Sequence, residues 1–434
     1  MPTAPVHKEE EYIDKSCYEN ALAQLQSGSH PIFITGQAGT GKSTFIKYLH
    51  RHVDAGIPVI APTGVAALNV RGQTIHSFFQ FPPRIIEHSE VALLRNRRLF
   101  KELKILIIDE ISMVRADLMD LIDISLRKNT GRVDQPFGGV RLVLVGDLFQ
   151  LPPVVASQQE VSYIYSRFTT PYFLSSSCMQ SAQTQIIELT KIFRQKDIRF
   201  IRILSDIREG KNIDEAISQL NRICFTKERD REGEIILTPD NATAGRINEE
   251  RLSELGGKEY RYEGVVTGKF GVTNDRLPAP KVLRLKHGAR VMFTKNDKDH
   301  RWVNGTIATV KGLSERSITV SVGKRIYAVD REIWESVRYR YDEFEDRITA
   351  QVVATYRQFP LVLAWAVTIH KSQGKTFDKV HIDTANGIFA DGQLYVALSR
   401  CRTIDGISLH KPLRVQDVKV NAYIKELHGL IRKN

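Results

Sequence analysis

Two short stretches carry residues able to do phosphate chemistry. GQAGTGKST runs from Gly36 to Thr44, after the apolar PIFIT and before the helical FIKYLHRHV. In that strand–loop–helix setting the backbone N–H groups of Gly36, Ala38, Gly39, Thr40, Gly41 and Thr44 are expected to curl around phosphate oxygens at a helix N-terminus. Lys42 is expected to reach the outer phosphates and Ser43 to hold Mg2+. The second stretch, LKILIIDE, ends an apolar run with Asp109 and Glu110. By themselves two carboxylates at a strand end read equally well as a solvated terminus. With a phosphate loop upstream, Asp109 is the expected Mg2+ ligand, through water, and Glu110 the residue that polarises the attacking water. Together they would turn a nucleotide binder into an ATP hydrolase.

These residues need a scaffold. PIFITG (31–36), PVIAPTG (58–64), LKILIIDE (103–110), VRLVLVGD (140–147) and QIIELT (185–190) are β-branched runs with helical stretches between them. The pattern predicts an α/β fold with a buried parallel sheet, ligands gathering at the carboxyl ends of its strands. A second set follows: EIILTPD (234–240), ARVMFTK (289–295), LVLAWAVTIHKSQG (361–374) and KVHIDTA (379–385). Within it, residues 305–329 alternate apolar and polar with Gly, Ser and Lys punctuation, which predicts hairpins of a small antiparallel barrel inserted in a second sheet domain.

Three further residues fall at expected carboxyl edges. GDLFQLPPV (146–154) leaves its strand with Gln150 placed to sense a terminal phosphate. Read alone it is a proline-terminated loop. ELTKIFRQ places Arg194 after the last strand of the first block, and GQLYVALSRCRT places Arg400 on a predicted helix. Lone arginines are ordinarily surface groups. Here both are expected to reach the phosphates from the second domain and stabilise charge developing during hydrolysis.

The chain has 434 residues, enough for several compact units. Lys plus Arg number 62 against 50 for Asp plus Glu, a formal charge of +12. That surplus reads as a solvated surface or as a footprint for a polyanion. The four cysteines form no CxxC, which argues against a zinc site or a disulfide framework and fits a reducing compartment. No apolar run approaches the roughly 20 residues of a membrane span, and the start resembles no signal peptide. The expected location is the cytosol, or the nucleus or an organelle in a eukaryote.

The ordered set GQAGTGKST, APTGVAA, QTIHSFF, DEIS, GDLFQLPPV, LTKIFRQ, TIHKSQGKT and VALSRCRT resembles superfamily 1B DNA helicases, similar to RecD-type enzymes. The segment before GDLFQLPPV contains PFGG, which narrows the resemblance to helicases of the PIF (petite integration frequency) type. The resemblance covers about residues 30–415. It implies two RecA-like domains with ATP and Mg2+ in the cleft between them. The first would span 1–185 with a small wedge insertion at about 73–100. The second would comprise 186–255 and 350–434, with an SH3-like barrel over 256–349.

The resemblance also implies 5'-to-3' travel on single-stranded DNA and unwinding of duplex at single-strand/duplex junctions, by a single chain. G-quadruplexes and DNA–RNA hybrids are further substrates of the family. An RNA-preferring translocase and an ATP-switched single-strand binding protein are the alternatives. Expected nucleic-acid contacts are Thr63, Gly64 and Val65 to phosphate, and His76, Ser77 and Phe78 to phosphate and bases. Base–aromatic stacking would add roughly 1–3 kcal/mol per base. Without the family, His76 reads as a loop histidine and Phe78 as core. Arg95, Arg97 and Arg98 suggest a basic flank, Lys286, His287, Arg290, Lys295 and Asn304 a second-domain face, and Gln24 or Gln26 an adenine reader.

One stretch looks like a second, broken phosphate loop. TIHKSQGKTFD contains Gly374-Lys375-Thr376 but has Ile369 where that loop needs glycine. It resembles helicase motif V instead. Thr368, His370, Lys371 and Ser372 would hold DNA, with Gln373 and Gly374 near the shared nucleotide cleft.

Overall fold

The computed structural model describes residues 14–28, 30–53, 56–155, 157–225, 234–268, 270 and 277–431. Strands β1 (Ile32–Gly36), β2 (Val59–Ala61), β3 (Gln73–Thr74), β4 (Ile105–Ile108), β5 (Arg141–Val145) and β6 (Gln185–Leu189) form one sheet. Their order is β3-β2-β4-β5-β1-β6, and every pair is parallel. Side chains alternate across such a sheet, and both faces are used. Phe33, Ile60, Leu106, Ile108, Leu142 and Leu144 enter one core. Ile32, Ile34, Val59, Ile107, Val143 and Val145 enter another, where Tyr18, Phe45 and Leu49 cover them. Two buried faces explain why these strands read as continuous apolar runs.

A second sheet is built from β7 (Ile235–Thr238), β18 (Ala366–Thr368), β19 (Val380–Ile382) and β20 (Ile407–Leu409). It is parallel, in the order β18-β7-β19-β20. Helices Ile198–Glu209, Ile213–Cys224 and Gln393–Leu398 pack on it through Phe200, Ile203, Leu220 and Leu394.

Between β7 and β18 the chain makes antiparallel strands. They are β8 (Tyr260–Glu263), β9 (Val265–Gly268), β10 (Val282–Leu285), β11 (Arg290–Phe293), β12 (Ile307–Leu313), β13 (Ile318–Val322), β14 (Arg325–Val329), β15 (Glu332–Asp342), β16 (Arg347–Gln358) and β17 (Leu361–Leu363). The expected hairpins over 305–329 are β12, β13 and β14, in a five-stranded sheet of order β14-β13-β12-β11-β17. ARVMFTK supplies β11 of this sheet, not a strand of the parallel one. Trp302 stacks on Phe293 at 4.1 Å over its core.

The long hairpin β15–β16 reaches the first domain. Tyr339 is buried in the first core, and its hydroxyl accepts the Val59 N–H at 3.1 Å. The C-terminal helix Ala422–Ile431 returns the same way, burying Ile424 in that core.

Strand partners move the expected domain limits. β6 pairs along its whole length with β1, so the first sheet runs beyond residue 185. β16 is one continuous partner of β15 from 347 to 358, so no boundary falls at 350. β3 belongs to the first sheet, and the helix Ile75–Phe79 buries Ile75, Phe78 and Phe79. Residues 73–79 are thus part of the first sheet and its core, where an insertion starting at about 73 was expected. Ladder hydrogen bonds decide the first two limits and side-chain burial the third, and neither is visible to composition. PFGG is tied to the helix Ala116–Thr130, where the Asp123 carboxylate accepts the Phe137 N–H at 2.5 Å.

Candidate nucleotide cleft and the turns beside it

The phosphate loop follows β1, and Gly41, at φ 91°, opens the helix Lys42–His52. Lys42 Nζ donates to the carbonyls of Gly36 at 2.7 Å and Gln37 at 3.0 Å. Thr40 Oγ1 bonds the Gln37 carbonyl at 2.9 Å, and Tyr18 Oη bonds the Gly41 carbonyl at 2.8 Å. The loop is thus closed on itself, with Ser43 exposed and Thr44 half-buried on the first helical turn. Gly39, at φ 87°, cannot be replaced without conflict, since a Cβ there would lie 2.5 Å from Arg194 Cβ.

Asp109 and Glu110 stand at the carboxyl end of β4, and Glu110 holds a left-handed φ of 51°. The Glu110 N–H donates to Asp109 Oδ1 at 2.9 Å. Burial pushes the Asp109 carboxyl up to about 6. Burial and the neighbouring Asp109 push Glu110 up to about 7. Lys42 counters both and is itself pulled down by burial, offset by Asp147 and Glu110. Two raised carboxyls beside a lysine are a site that a divalent cation would stabilise in its ionised form.

Gln150 donates its amide to Asp147 Oδ2 at 3.1 Å. Gln373 donates to Glu110 Oε2 at 3.1 Å and to Gln150 Oε1 at 3.3 Å. Gln373, not the exposed Gly374, is therefore the residue that reaches the cleft. At the same place Gly392, at φ 67°, lies so close that a Cβ would sit 2.5 Å from the Gln150 carbonyl.

Arg400 is buried, just past the helix Gln393–Leu398 and not within it. Its Nε donates to the Val396 carbonyl at 2.8 Å and its Nη2 to Ser399 Oγ at 2.8 Å. Burial, then the nearby Arg194, pulls it down to about 9. Arg194 follows β6 of the first sheet, and Phe193 N–H bonds the Gly39 carbonyl at 2.9 Å. It is consequently presented from the phosphate-loop side, not from the second domain as expected. Its Nη1 crosses to the Ser399 carbonyl at 3.2 Å.

The other expected contacts sort into two groups. Thr63 caps the helix Gly64–Asn69 by accepting the Ala66 N–H at 3.2 Å; Gly64 is buried and Val65 is exposed. His76 is half-buried and Ser77 exposed. Phe78 is core: its ring lies 4.9 Å from Phe79, 5.4 Å from Phe100 and 6.1 Å from Tyr339. It is unavailable for base stacking, because the amphipathic turn aims it inward. Thr368 and Ser372 are buried, and Ser372 Oγ bonds the Ile369 carbonyl at 2.7 Å. Their hydroxyls hold the turn, which leaves half-buried His370 and exposed Lys371 facing outward.

Several other expected polar contacts are engaged internally. Lys286 bonds the Leu255 carbonyl and Lys295 pairs with Glu332. Arg98 pairs with Glu343 on the long hairpin. Gln24 bonds Asn20 on its own helix. Ile369 is buried under a turn capped by Thr368, so no second phosphate loop forms.

Sequence reasoning missed Tyr395, whose hydroxyl accepts the Ala38 N–H at 2.8 Å across the cleft. It also missed Arg208, which pairs with Asp147 at 2.9 Å with both side chains buried. Tyr395 stood inside a quoted motif, whereas Arg208 had no signal beyond the polar side of an amphipathic helix.

Comparison with known proteins identifies the family. The PIF1-like helicase family matches residues 8–223. A Bdellovibrio bacteriovorus relative, ATP-dependent DNA helicase Pif1, is 33% identical over 98% of this chain and 94% of its own. The chain belongs to the PIF1-like helicase family. It is an ATP-hydrolysing DNA helicase. Human ATP-dependent DNA helicase PIF1 is 34% identical over 87% of this chain, which spans 57% of the human protein. Bacteroides sp Pif1 in complex with ADP-AlF4 superposes with a TM-score of 0.87 at 34% identity, covering 97% of both chains. Bacteroides Pif1 bound to ssDNA gives 0.70 at the same identity and coverage. Among the described residues no helix is long and apolar enough to cross a membrane.

Proposed function

We propose that this family member travels 5'-to-3' on single-stranded DNA and separates duplex at the junction ahead. The observation that carries this reading is the Gln373 bridge between Glu110 and Gln150. It joins hydrolytic residues of the first sheet to the turn after β18 of the second.

Two turns support a grip by both domains. Thr74-Ile75-His76-Ser77 follows β3, and Thr368-Ile369-His370-Lys371-Ser372 follows β18, each the edge strand of its sheet. In both, threonine Oγ1 accepts the N–H three residues on at 3.2 Å, and the isoleucine is fully buried. His76 with Ser77, and His370 with Lys371, are the groups we assign to backbone phosphates, together with the Thr63–Val65 turn. The relative bound to ssDNA supports the same ligand class. We assign the inserted antiparallel strands to an SH3-like domain.

Nucleotide would lie between the phosphate loop and Arg400, with Lys42, Gln150 and Arg194 around its outer phosphates. Ser43 and Asp109 fit Mg2+, which when bound would neutralise phosphate charge. Glu110 would take a proton from water, consistent with its raised affinity for one.

The test is strand displacement with ATP and Mg2+ on duplexes carrying a 5' or a 3' tail, of DNA or RNA. Unwinding only from the 5' DNA tail supports the reading. Preference for an RNA tail, 3' loading, or ATP turnover without displacement would overturn it. G-quadruplex and DNA–RNA hybrid substrates extend the same assay.

A further inference from the structure

Asp147 and Arg208 form a buried ion pair that neither the phosphate loop nor the two expected arginines account for. Arg208 Nη2 and Nε approach Asp147 Oδ1 at 2.9 and 3.3 Å. The same oxygen accepts the Phe149 N–H at 3.2 Å, while Oδ2 accepts the Gln150 amide at 3.1 Å. The Arg208 guanidinium lies 4.3 Å over the Phe149 ring. Its Nη1 is buried without a hydrogen bond, 3.8 Å from Glu209 Oε1.

The partners come from different domains. Asp147 follows β5 of the first sheet. Arg208 ends the helix whose Phe200, Ile203, Leu204 and Ile207 lie in the core of the second sheet. A buried ion pair is poor support for stability in general, because desolvation offsets the attraction. Its value lies in geometry. A planar guanidinium with two N–H groups on one oxygen, and a ring beneath it, permits a single arrangement.

That arrangement ends on Gln150. An amide nitrogen has two N–H donors. Asp147 takes one, and the carbonyl oxygen receives Gln373, so the second N–H keeps a defined direction for a phosphate oxygen. We propose that Arg208 is a positioning residue for ATP hydrolysis, holding Asp147, and through it Gln150, aligned only while the two domains are together. This rests on the reading of the cleft as the hydrolytic site. Arg208 acts through Asp147 and does not touch the nucleotide.

The experiment is single-strand-stimulated ATP turnover of the full chain carrying Arg208→Lys, Asp147→Asn and Gln150→Ala, singly and combined, with melting temperature as the check on folding. Arg208→Lys is expected to lower kcat about tenfold or more with KM changed less than about threefold. In the Gln150→Ala background the same change is expected to cost less than about twofold, since residues acting in series are non-additive. Equal losses in both backgrounds, or turnover by Arg208→Lys within about twofold of wild type, overturn the proposal. If Arg208→Lys does not fold, Asp147→Asn in the two backgrounds gives the same comparison. Wild-type chain without stimulated turnover would instead overturn the reading of the cleft.

Discussion

Gln373 donates its side-chain amide to Glu110 at 3.1 Å, although the two stand 263 residues apart and follow strands of different sheets. Glu110 ends a strand of the first domain, and Gln373 caps the turn that follows β18 of the second. Gln373→Ala removes this link without touching the phosphate loop. We expect turnover stimulated by single-stranded DNA to fall about tenfold, roughly 1.4 kcal/mol in the barrier, while unstimulated turnover is retained. Steady-state rates with and without an oligonucleotide measure the difference.

Lys42 is held by the Gly36 and Gln37 carbonyls at the mouth of the loop. Lys42→Ala is expected to reduce turnover by about 10³-fold, the scale of losing a preorganised charge beside the transferred phosphoryl group. Oligonucleotide affinity without ATP should be retained, as fluorescence anisotropy would show.

Glu110 holds its proton more tightly in the folded chain, at about 7 against an ordinary 4.5, because of burial and Asp109. A carboxyl raised in this way keeps its stabilising proton below about pH 4.5 and loses it as pH rises through about 7. Stability of the nucleotide-free protein therefore declines across that window. Glu110→Gln should raise the melting temperature by about 2–4 °C or more at pH 8 and much less at pH 5. Thermal denaturation at the two pH values checks the sign.

Phe78 lies in the aromatic cluster of the first core, 5% exposed. Phe78→Ala should destabilise the protein by about 3–5 kcal/mol. A base-stacking residue would instead lose oligonucleotide affinity at unchanged stability. Chemical denaturation alongside anisotropy on the folded protein separates the two.

Tyr339 carries the long hairpin onto the first sheet by accepting the Val59 N–H. Tyr339→Phe leaves that buried N–H unpaired, at a cost of about 1–3 kcal/mol. The denaturation midpoint reports it.

Much of the site was legible from the order of residues alone. A phosphate loop is local: its glycines, lysine and serine lie within nine consecutive positions, and the strand before it and helix after it are encoded beside it. The same holds for Asp109 and Glu110, whose place at a strand end follows from the apolar run ILII. The first parallel sheet was legible because strands buried on both faces need unbroken β-branched runs, whereas in the second set ARVMFTK reads the same way yet joins the antiparallel sheet.

What the tertiary structure decided lies between distant segments. Phe78 turned inward because three other aromatic residues, one of them Tyr339 from the long hairpin, close around it. Arg194 was legible as a candidate beyond a strand end, but its side of the cleft depended on β6 pairing with β1. Arg208 and Tyr395 became cleft residues only when helices of the second domain met loops of the first. Periodicity reports which face of an element is buried; the partner across that face is chosen by three-dimensional packing. The sequence thus determined the phosphate loop and the first sheet, while the Arg208–Asp147 and Gln373–Glu110 connections required the fold, since each is a contact between domains rather than a property of either segment.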